Sequence, residues 1–425
     1  MKILYVGDNS DRSNWGCRAT SIALSEIVSK EHEIIGVIKG REVGQWDMTP
    51  ISWGGRGPTR ILKKIDRVFS DGSKGVKKRL GVKDDFISID TDKSISNFEK
   101  IFGKFKHLQK IKHWVDQCDG IVVNGEGGYI LSSPPRRDHL FFNFMVGYAQ
   151  YRRKRTFVVN GMLSPCPKTG TNLESKEQTF KLFEACDYLC FRDPYSLDLY
   201  RELGGKRNAD FIPDALFSWC SDASRYLENA RGMLGDHMPF GRENLRGIKD
   251  FDLSKPFIAL GGSSSAAWDQ ESAFQSYLGL ASKLKNLDLP IVCVVTCGGD
   301  RFLERVCRDL ELPLVPERIP VRLGCGILGR ASMFVSGRYH PSILASLNGT
   351  PCVFLSSNAH KTRSLQRVLE YSEEREFESL PDDNASEDIV EHVQKRIQNP
   401  WDRDGTRRIA THLGKDALRL TNSLA

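Results

Sequence analysis

The residues best suited to chemistry lie between Ala331 and Lys361, ASMFVSGRYHPSILASLNGTPCVFLSSNAHK. A short apolar run, Met333-Phe334-Val335, ends at Ser336-Gly337. Arg338 and His340 follow, and Pro341 opens an apolar helix-like segment that stops at Asn348-Gly349. A second apolar run covers Cys352 to Leu355. Strand, turn, helix, strand is the order of a βαβ unit. Proline suits the first position of a helix, which predicts His340 at its cap. Free backbone N–H groups and the helix dipole there favour an anion, and a guanidinium matches carboxylate or phosphate with a rigid fork of donors. The chemistry predicted is a socket for a small, doubly anionic molecule, lined by Ser336, Arg338 and His340, with Lys361 as a point charge at its rim or in water.

Other residue groups sit where strands end. Asn124-Gly125-Glu126-Gly127-Gly128 follows the apolar run Gly120–Val123, and its glycines let a ligand approach the backbone closely. Glu126 is either an acceptor for a hydroxyl proton or a helix-start carboxylate. Arg192 is either an anion ligand or the ion-pair partner of Asp193 or Asp214. Gly261 to Ser265 offers N–H groups and hydroxyls to phosphate, Gly262 and Ser263 foremost, without the lysine of a Walker loop. In the polar loop after the first strand, Asn14, Trp15 and Arg18 are candidates for a sugar. Trp15 is equally a residue that covers the core edge.

Those groups need a scaffold of parallel sheets. Ile3–Val6, Glu33–Ile38, Gly120–Val123, Thr156–Val159, Tyr188–Phe191 and Phe211-Ile212 read as strands separated by helices. Pro256–Leu260, Pro290–Thr296, Met333–Val335 and Cys352–Leu355 repeat the pattern. The ligand edge of such sheets is the carboxyl end of the strands. The chain of 425 residues exceeds one ordinary core. The predicted division is a Rossmann-like domain over 1–220 (acceptor side), with an insertion at about 40–118 that holds a short strand near Phe86–Ile89. A linker follows over 221–255, then a second Rossmann-like domain over 256–400 (donor side) and a C-terminal helix over 401–425. This is a GT-B-like α/β architecture, two parallel-sheet domains facing a cleft, with C-terminal helices.

The net charge of +7 is concentrated in residues 56–79, where nine Lys/Arg face Asp66 and Asp71. Ile61, Leu62, Ile65, Val68 and Phe69 fall at helical spacing there, so an amphipathic basic helix is expected. It either docks on its own domain or meets an anionic membrane face or glycan. No aromatic platform or binding motif accompanies the charge, which argues against nucleic acid. Eleven cysteines without a CxxC pair fit a reduced, cytoplasmic protein, and no run of 18 apolar residues suggests a membrane span. No cluster has zinc spacing, so no metal is expected.

The chain resembles the polysaccharide pyruvyltransferase family. The resemblance rests on Asn14-Trp15-Gly16, on Asn124 to Gly128, and on Arg192-Asp193-x-x-Ser196 followed by Gly204 and Pro213-Asp214-Ala215-Leu216-Phe217. Its strongest block is Ser336-x-Arg338-x-His340 with Ala345, Gly349-x-Pro351 and Lys361. It extends over about Lys2 to Leu365, apart from the insertion. It implies transfer of pyruvate, as a cyclic ketal, from phosphoenolpyruvate to a sugar of an exopolysaccharide or lipid-linked glycan. Phosphoenolpyruvate is then a co-substrate, and no cofactor is needed. Arg192, Arg338, Ser336, Gly262, Ser263 and Lys361 become donor ligands. His340 becomes the proton donor, with Glu126 assisting, and its protonation is coupled to donor binding. Asn14, Trp15, Arg18, Asn124 and Gly125 fall to the acceptor. Cys17 stands where the family usually has aspartate. The alternatives are a glycosyltransferase of the same fold that uses a nucleotide-sugar, or a glycan-binding relative without turnover.

Overall fold

The computed structural model describes residues 1–43, 86–233, 251–399 and 401–424. The basic segment 56–79 lies outside them. The first half is a six-stranded parallel sheet in the order β2-β1-β3-β4-β5-β6. Its strands are β1 Lys2–Asp8, β2 Glu33–Lys39, β3 Gly120–Leu131, β4 Arg155–Pro165, β5 Tyr188–Phe191 and β6 Asp210–Phe211. The second half is a five-stranded parallel sheet, β11-β10-β7-β8-β9. It is built from β7 Ile258–Ser263, β8 Ile291–Val294, β9 Leu314–Val315, β10 Met333–Gly337 and β11 Cys352–Phe354. Strand order reverses between β1 and β3 in one sheet and between β7 and β10 in the other. A crevice opens at such points beyond the carboxyl ends of the strands.

Both faces of each sheet are covered, as side-chain alternation requires. Ile3 and Tyr5 of β1 pack with Ala19 and Leu24 of helix α1 (Trp15–Val28), while Leu4 and Val6 pack on the opposite face with Phe141 and Met145 of helix α2 (Arg137–Tyr151). The first of these clusters does not stop at the domain boundary. It continues through Val292, Val294 and Phe334 of the second sheet, so the two halves share apolar core.

Three expectations change. Residues 86–89 form no strand. Phe86 is instead wedged between Phe98 and Phe144, with ring centroids 5.8 and 5.0 Å away, because an aromatic cluster satisfies it better than an edge pairing. Part of the predicted linker is helix α3, Ala223–Met233, held by Arg330 Nη2 donating to the Leu227 carbonyl at 2.7 Å. Residues 234–250 lie outside the described set. The glycine-rich stretch after Val123 is not a loop, since β3 runs on through it to Leu131 with a register shift between Glu126 and Tyr129.

The last long helix, α4 (Arg403–Ala417), returns to the first half, where a Cβ on Gly414 would stand 2.6 Å from the Phe217 carbonyl oxygen. At its start Arg403 donates to the carbonyls of Ala331 and Gly329, at 2.8 and 2.6 Å, pinning it to the second half. The helix therefore straps the halves together. Among the described residues no helix is long and apolar enough to cross a membrane.

Candidate active site

A cavity of about 240 Å³ lies where the two sheets' carboxyl edges face each other. The first half supplies Asn9 beyond β1, Asn124 to Gly128 on β3 and Arg192 beyond β5. The second half supplies Ser264 beyond β7, Thr296 beyond β8, and Arg338 to Pro341 beyond β10, with Asn358 and Lys361. Arg192, Arg338 and His340, the outermost pair 148 residues apart in the chain, thus line one cavity.

His340 is not at the cap. Helix α5 of the second half's βαβ unit spans Tyr339–Ser346 with Arg338 at the N-cap, so His340 lies in the first turn. Proline at position 341 does not prevent this, because the first N–H groups of a helix have no intrahelical partner to lose. The imidazole Nε2 sits 2.8 Å from Arg192 Nη1 and 3.2 Å from Asp214 Oδ2, and Arg192 Nη1 also donates to Asp214 Oδ2 at 3.0 Å. One Nε2 cannot accept from the guanidinium and donate to the carboxylate at once. Its proton therefore decides which partner it serves. His340 Nδ1 has no hydrogen-bond partner among the described residues. Gly16 backs the ring, and a Cβ there would stand 2.5 Å from Nδ1.

Asp214 is fully buried. Burial works to raise its carboxyl, but His340 and Arg192 outweigh that and hold it below the usual carboxylate range. Its other oxygen accepts from Thr20 Oγ1 at 2.7 Å and from the Leu216 N–H at 3.0 Å. Thr20 in turn accepts from Asn160 at 2.9 Å, Asn160 donates to Asn124 Oδ1 at 3.0 Å, and Asn124 donates to Glu126 Oε1 at 3.2 Å. A buried polar chain drawn from α1, β3, β4 and the turn after β6 therefore links Glu126 to His340. Asn9 and Ser21 complete three donors to Glu126 Oε1, which fix its side chain in place. Glu126 has φ +34°, strained for a side-chain-bearing residue, and Gly125 lets β3 approach Gly161 so closely that a Cβ would be 2.7 Å from its Cα. The observed arrangement is a carboxylate held at the cavity wall.

On the other wall Arg338 donates through Nε and Nη2 to Asp300 Oδ1 at 3.0 and 2.6 Å, and its Nη1 lies 3.4 Å from Ser264 Oγ. Burial opposes the Arg338 charge, yet the Asp300 carboxylate beside it keeps the guanidinium firmly protonated. Lys361 donates to Asn358 Oδ1 at 3.1 Å. It has no carboxylate partner among the described residues. Burial, then the neighbouring Arg192 guanidinium, push its ammonium down to about 8. Arg12 and Arg136 are exposed at the rim. Cys17 lines the cavity, and burial followed by the Glu126 charge pushes its thiol far up, so it is a neutral group.

Of the other expected ligands, Asn14 lines the cavity while its side chain accepts from the Cys17 N–H as the cap of α1. Asn124 and Gly125 also line it, in supporting roles toward Glu126. Five residues do not belong to the site. Trp15 is fully buried, its indole N–H donating to the Glu317 carbonyl at 2.8 Å across the halves, so it is core and not a sugar platform. Arg18 likewise spans the halves to the Ile319 carbonyl at 2.7 Å. Ser336 donates to the Gly262 carbonyl at 2.8 Å, tying β10 to β7. Ser263 donates to the Ser356 carbonyl, and Gly262 makes room for Asp300, since a Cβ would stand 2.1 Å from its carboxylate. Strand-end hydroxyls here complete backbone pairing rather than face ligand. Sequence reading missed Asp300, Arg12, Arg136 and Asn358. Only Asp300 carried a signal, as the acid after Cys297-Gly298-Gly299 at the end of β8.

Two parallel-sheet domains facing a cationic cleft have a GT-B-like architecture. The sequence model of the polysaccharide pyruvyl transferase family matches residues 66–359, and the chain belongs to that family. The match begins inside the segment read as an insertion and leaves out the loop Asn14–Gly16. No curated protein matches the chain in sequence. Among solved structures, UDP-GlcNAc 2-epimerase from Neisseria meningitidis bound to UDP-GlcNAc is similar at TM-score 0.54 and 12% identity, over 100% of this chain and 99% of that one. MnaA from S. aureus in complex with UDP is similar at TM-score 0.55 and 11% identity, over 100% and 95%. At such identity these likenesses speak for the fold.

Proposed function

We propose that the chain transfers pyruvate from phosphoenolpyruvate to two hydroxyls of a glycan sugar, as a ketal, at the cytoplasmic side and with residues 56–79 toward an anionic membrane surface or glycan. The reading is carried by one observation. Arg192, Arg338 and Lys361 surround His340 in a cavity of about 240 Å³, below the roughly 300–1,000 Å³ of pockets that enclose larger ligands. A three-carbon dianion suits that volume better than a nucleotide-sugar.

In this reading Arg338 and Lys361 hold the donor's phosphate and carboxylate, and Arg192 adds its free edge. His340 gives a proton to the methylene carbon, and a sugar hydroxyl attacks C2 of the resulting cation. Glu126 accepts that hydroxyl's proton. Phosphate then leaves with its electron pair as the second hydroxyl closes the ring, and the two hydroxyl protons restore His340 and protonate phosphate.

Thermal unfolding with ligands tests the donor without knowledge of the acceptor. Phosphoenolpyruvate at 100 times its Kd is expected to stabilise by about 2.7 kcal/mol, and the same concentration should shift Arg338→Ala little against that variant's own ligand-free midpoint. A shift with UDP-GlcNAc and none with phosphoenolpyruvate would overturn the reading in favour of a nucleotide-sugar enzyme. A second prediction concerns Gly16. In Gly16→Ala the added Cβ must displace the His340 ring. Phosphate release is expected to fall roughly 10²-fold, the effect of an ångström-scale misplacement, with donor protection retained.

A further inference from the structure

We infer that Trp268 is the platform for the acceptor sugar, on the turn that follows the cavity-lining Ser264, where Lys168 of the opposite half lies over it; this rests on the pyruvyl-transfer reading for the word acceptor only. Trp268 is 50% exposed, unlike Trp15, which was expected to play this part and is core. It ends the short 3-10 turn Ala266–Trp268, four residues beyond the cavity-lining Ser264. That turn is fixed against the donor wall. Gln270 Nε2 donates to the Gly299 carbonyl at 2.9 Å, and a Cβ on Gly299 would touch both Ala267, at 2.7 Å, and Arg338 Nη2, at 3.0 Å.

Lys168 Nζ stands 3.6 Å from the centroid of the Trp268 ring. Its loop leaves β4 in the first half and is bound to the segment that carries the rim residues Arg136 and Asp138. The Cys166 N–H donates to the Leu131 carbonyl at 2.8 Å, and the Ser133 N–H to Thr169 Oγ1 at 3.2 Å. The lysine and the indole therefore meet across the cleft, each attached to a wall of the same cavity. An exposed cation–π contact is worth only about 0.5–1 kcal/mol, so it yields to a ligand. The proposed replacement is a ring with an apolar C–H face and polar edges, which a pyranose provides. Stacked on Trp268, such a ring would lie one short turn from Ser264, which lines the cavity together with His340 and Glu126.

Saturation-transfer NMR with the methyl β-glycosides of glucose, galactose and mannose tests this on the full chain, using wild type, Trp268→Ala, Trp268→Phe and Lys168→Ala. At least one glycoside is expected to bind wild type with saturation strongest on its ring C–H face. Binding should weaken roughly tenfold in Trp268→Ala. Trp268→Phe should recover part of the loss and Lys168→Ala should bind at least as well as wild type. Glycoside binding unchanged in Trp268→Ala, or none to wild type, overturns the assignment. Phosphoenolpyruvate protection is measured on the same variants and should match wild type. If sugar binding follows Trp268 while phosphoenolpyruvate fails to protect any of them, the platform stands and the pyruvyl-transfer reading falls. If protection is normal and sugar binding ignores Trp268, the reverse holds.

Discussion

His340→Ala is expected to lower kcat by about 10²–10⁴-fold, the range over which a positioned acid or base contributes, with phosphoenolpyruvate protection largely kept. Nε2 faces the buried Arg192–Asp214 pair at 2.8 and 3.2 Å, which leaves Nδ1 as the ring nitrogen without a protein partner. Removing the imidazole leaves Arg192 and Asp214 still paired at 3.0 Å, so no buried charge is stranded and the fold should hold. Asp214→Asn differs on that point. It leaves the guanidinium of Arg192, 2% exposed, without a counter-charge, and an uncompensated buried charge costs about 3–5 kcal/mol. The informative comparison is acceptor-dependent phosphate release against urea midpoint for both variants. A His340→Ala enzyme within tenfold of wild type at saturating substrates would remove His340 from the chemistry.

Lys361→Met is expected to weaken phosphoenolpyruvate binding roughly 10–100-fold, as the loss of a hydrogen bond to a charged group implies, while making the ligand-free protein more stable at neutral pH. Burial and the nearby Arg192 bring the Lys361 ammonium from its ordinary 10.5 down to about 8. Below pH 8 the group is charged in both the folded and the unfolded chain, and the folded state carries the cost of that charge. Between 8 and 10.5 only the unfolded chain keeps the proton, so wild-type stability climbs with pH across that window. Lys361→Met lacks the penalty. It should be more stable at pH 7 by about 1–3 kcal/mol, an advantage that shrinks through the window and is gone above 10.5. A stabilising loss of function marks a residue held for its chemistry rather than for the fold. Donor affinity has the matching dependence. An anion is bound by the charged ammonium, so wild-type affinity should fall as pH rises through about 8, and in Lys361→Met that step should vanish. Thermal midpoints of both proteins from pH 6.5 to pH 10.5, with and without donor, read both effects. A variant less stable than wild type at pH 7 would show Lys361 to be structural.

The sequence by itself determined the two parallel-sheet halves and the glycine-rich and Arg-x-His blocks that carry the family. Those features are local. Apolar runs of strand length, helical spacing between them and polar residues at their ends are written within a few residues of one another. Boundaries moved where a longer-range contact prevailed, as when β3 continued through its glycines because Gly125 could lie against Gly161 on β4. What only the tertiary structure decided was who partners whom. Trp15 and Trp268 are both indoles near strand-end loops. Shared core between the halves buries the first completely and leaves the second half exposed at the cleft. Arg192 read as either an anion ligand or the partner of Asp193 or Asp214, and Arg338 as an anion ligand; each carries a buried aspartate, Asp214 and Asp300, brought from another strand end. Lys361 was placed at the rim or in water, and it is the inner cation without a carboxylate partner among the described residues. Charge pairing in a cleft depends on distances across it, and no spacing along the chain encodes them.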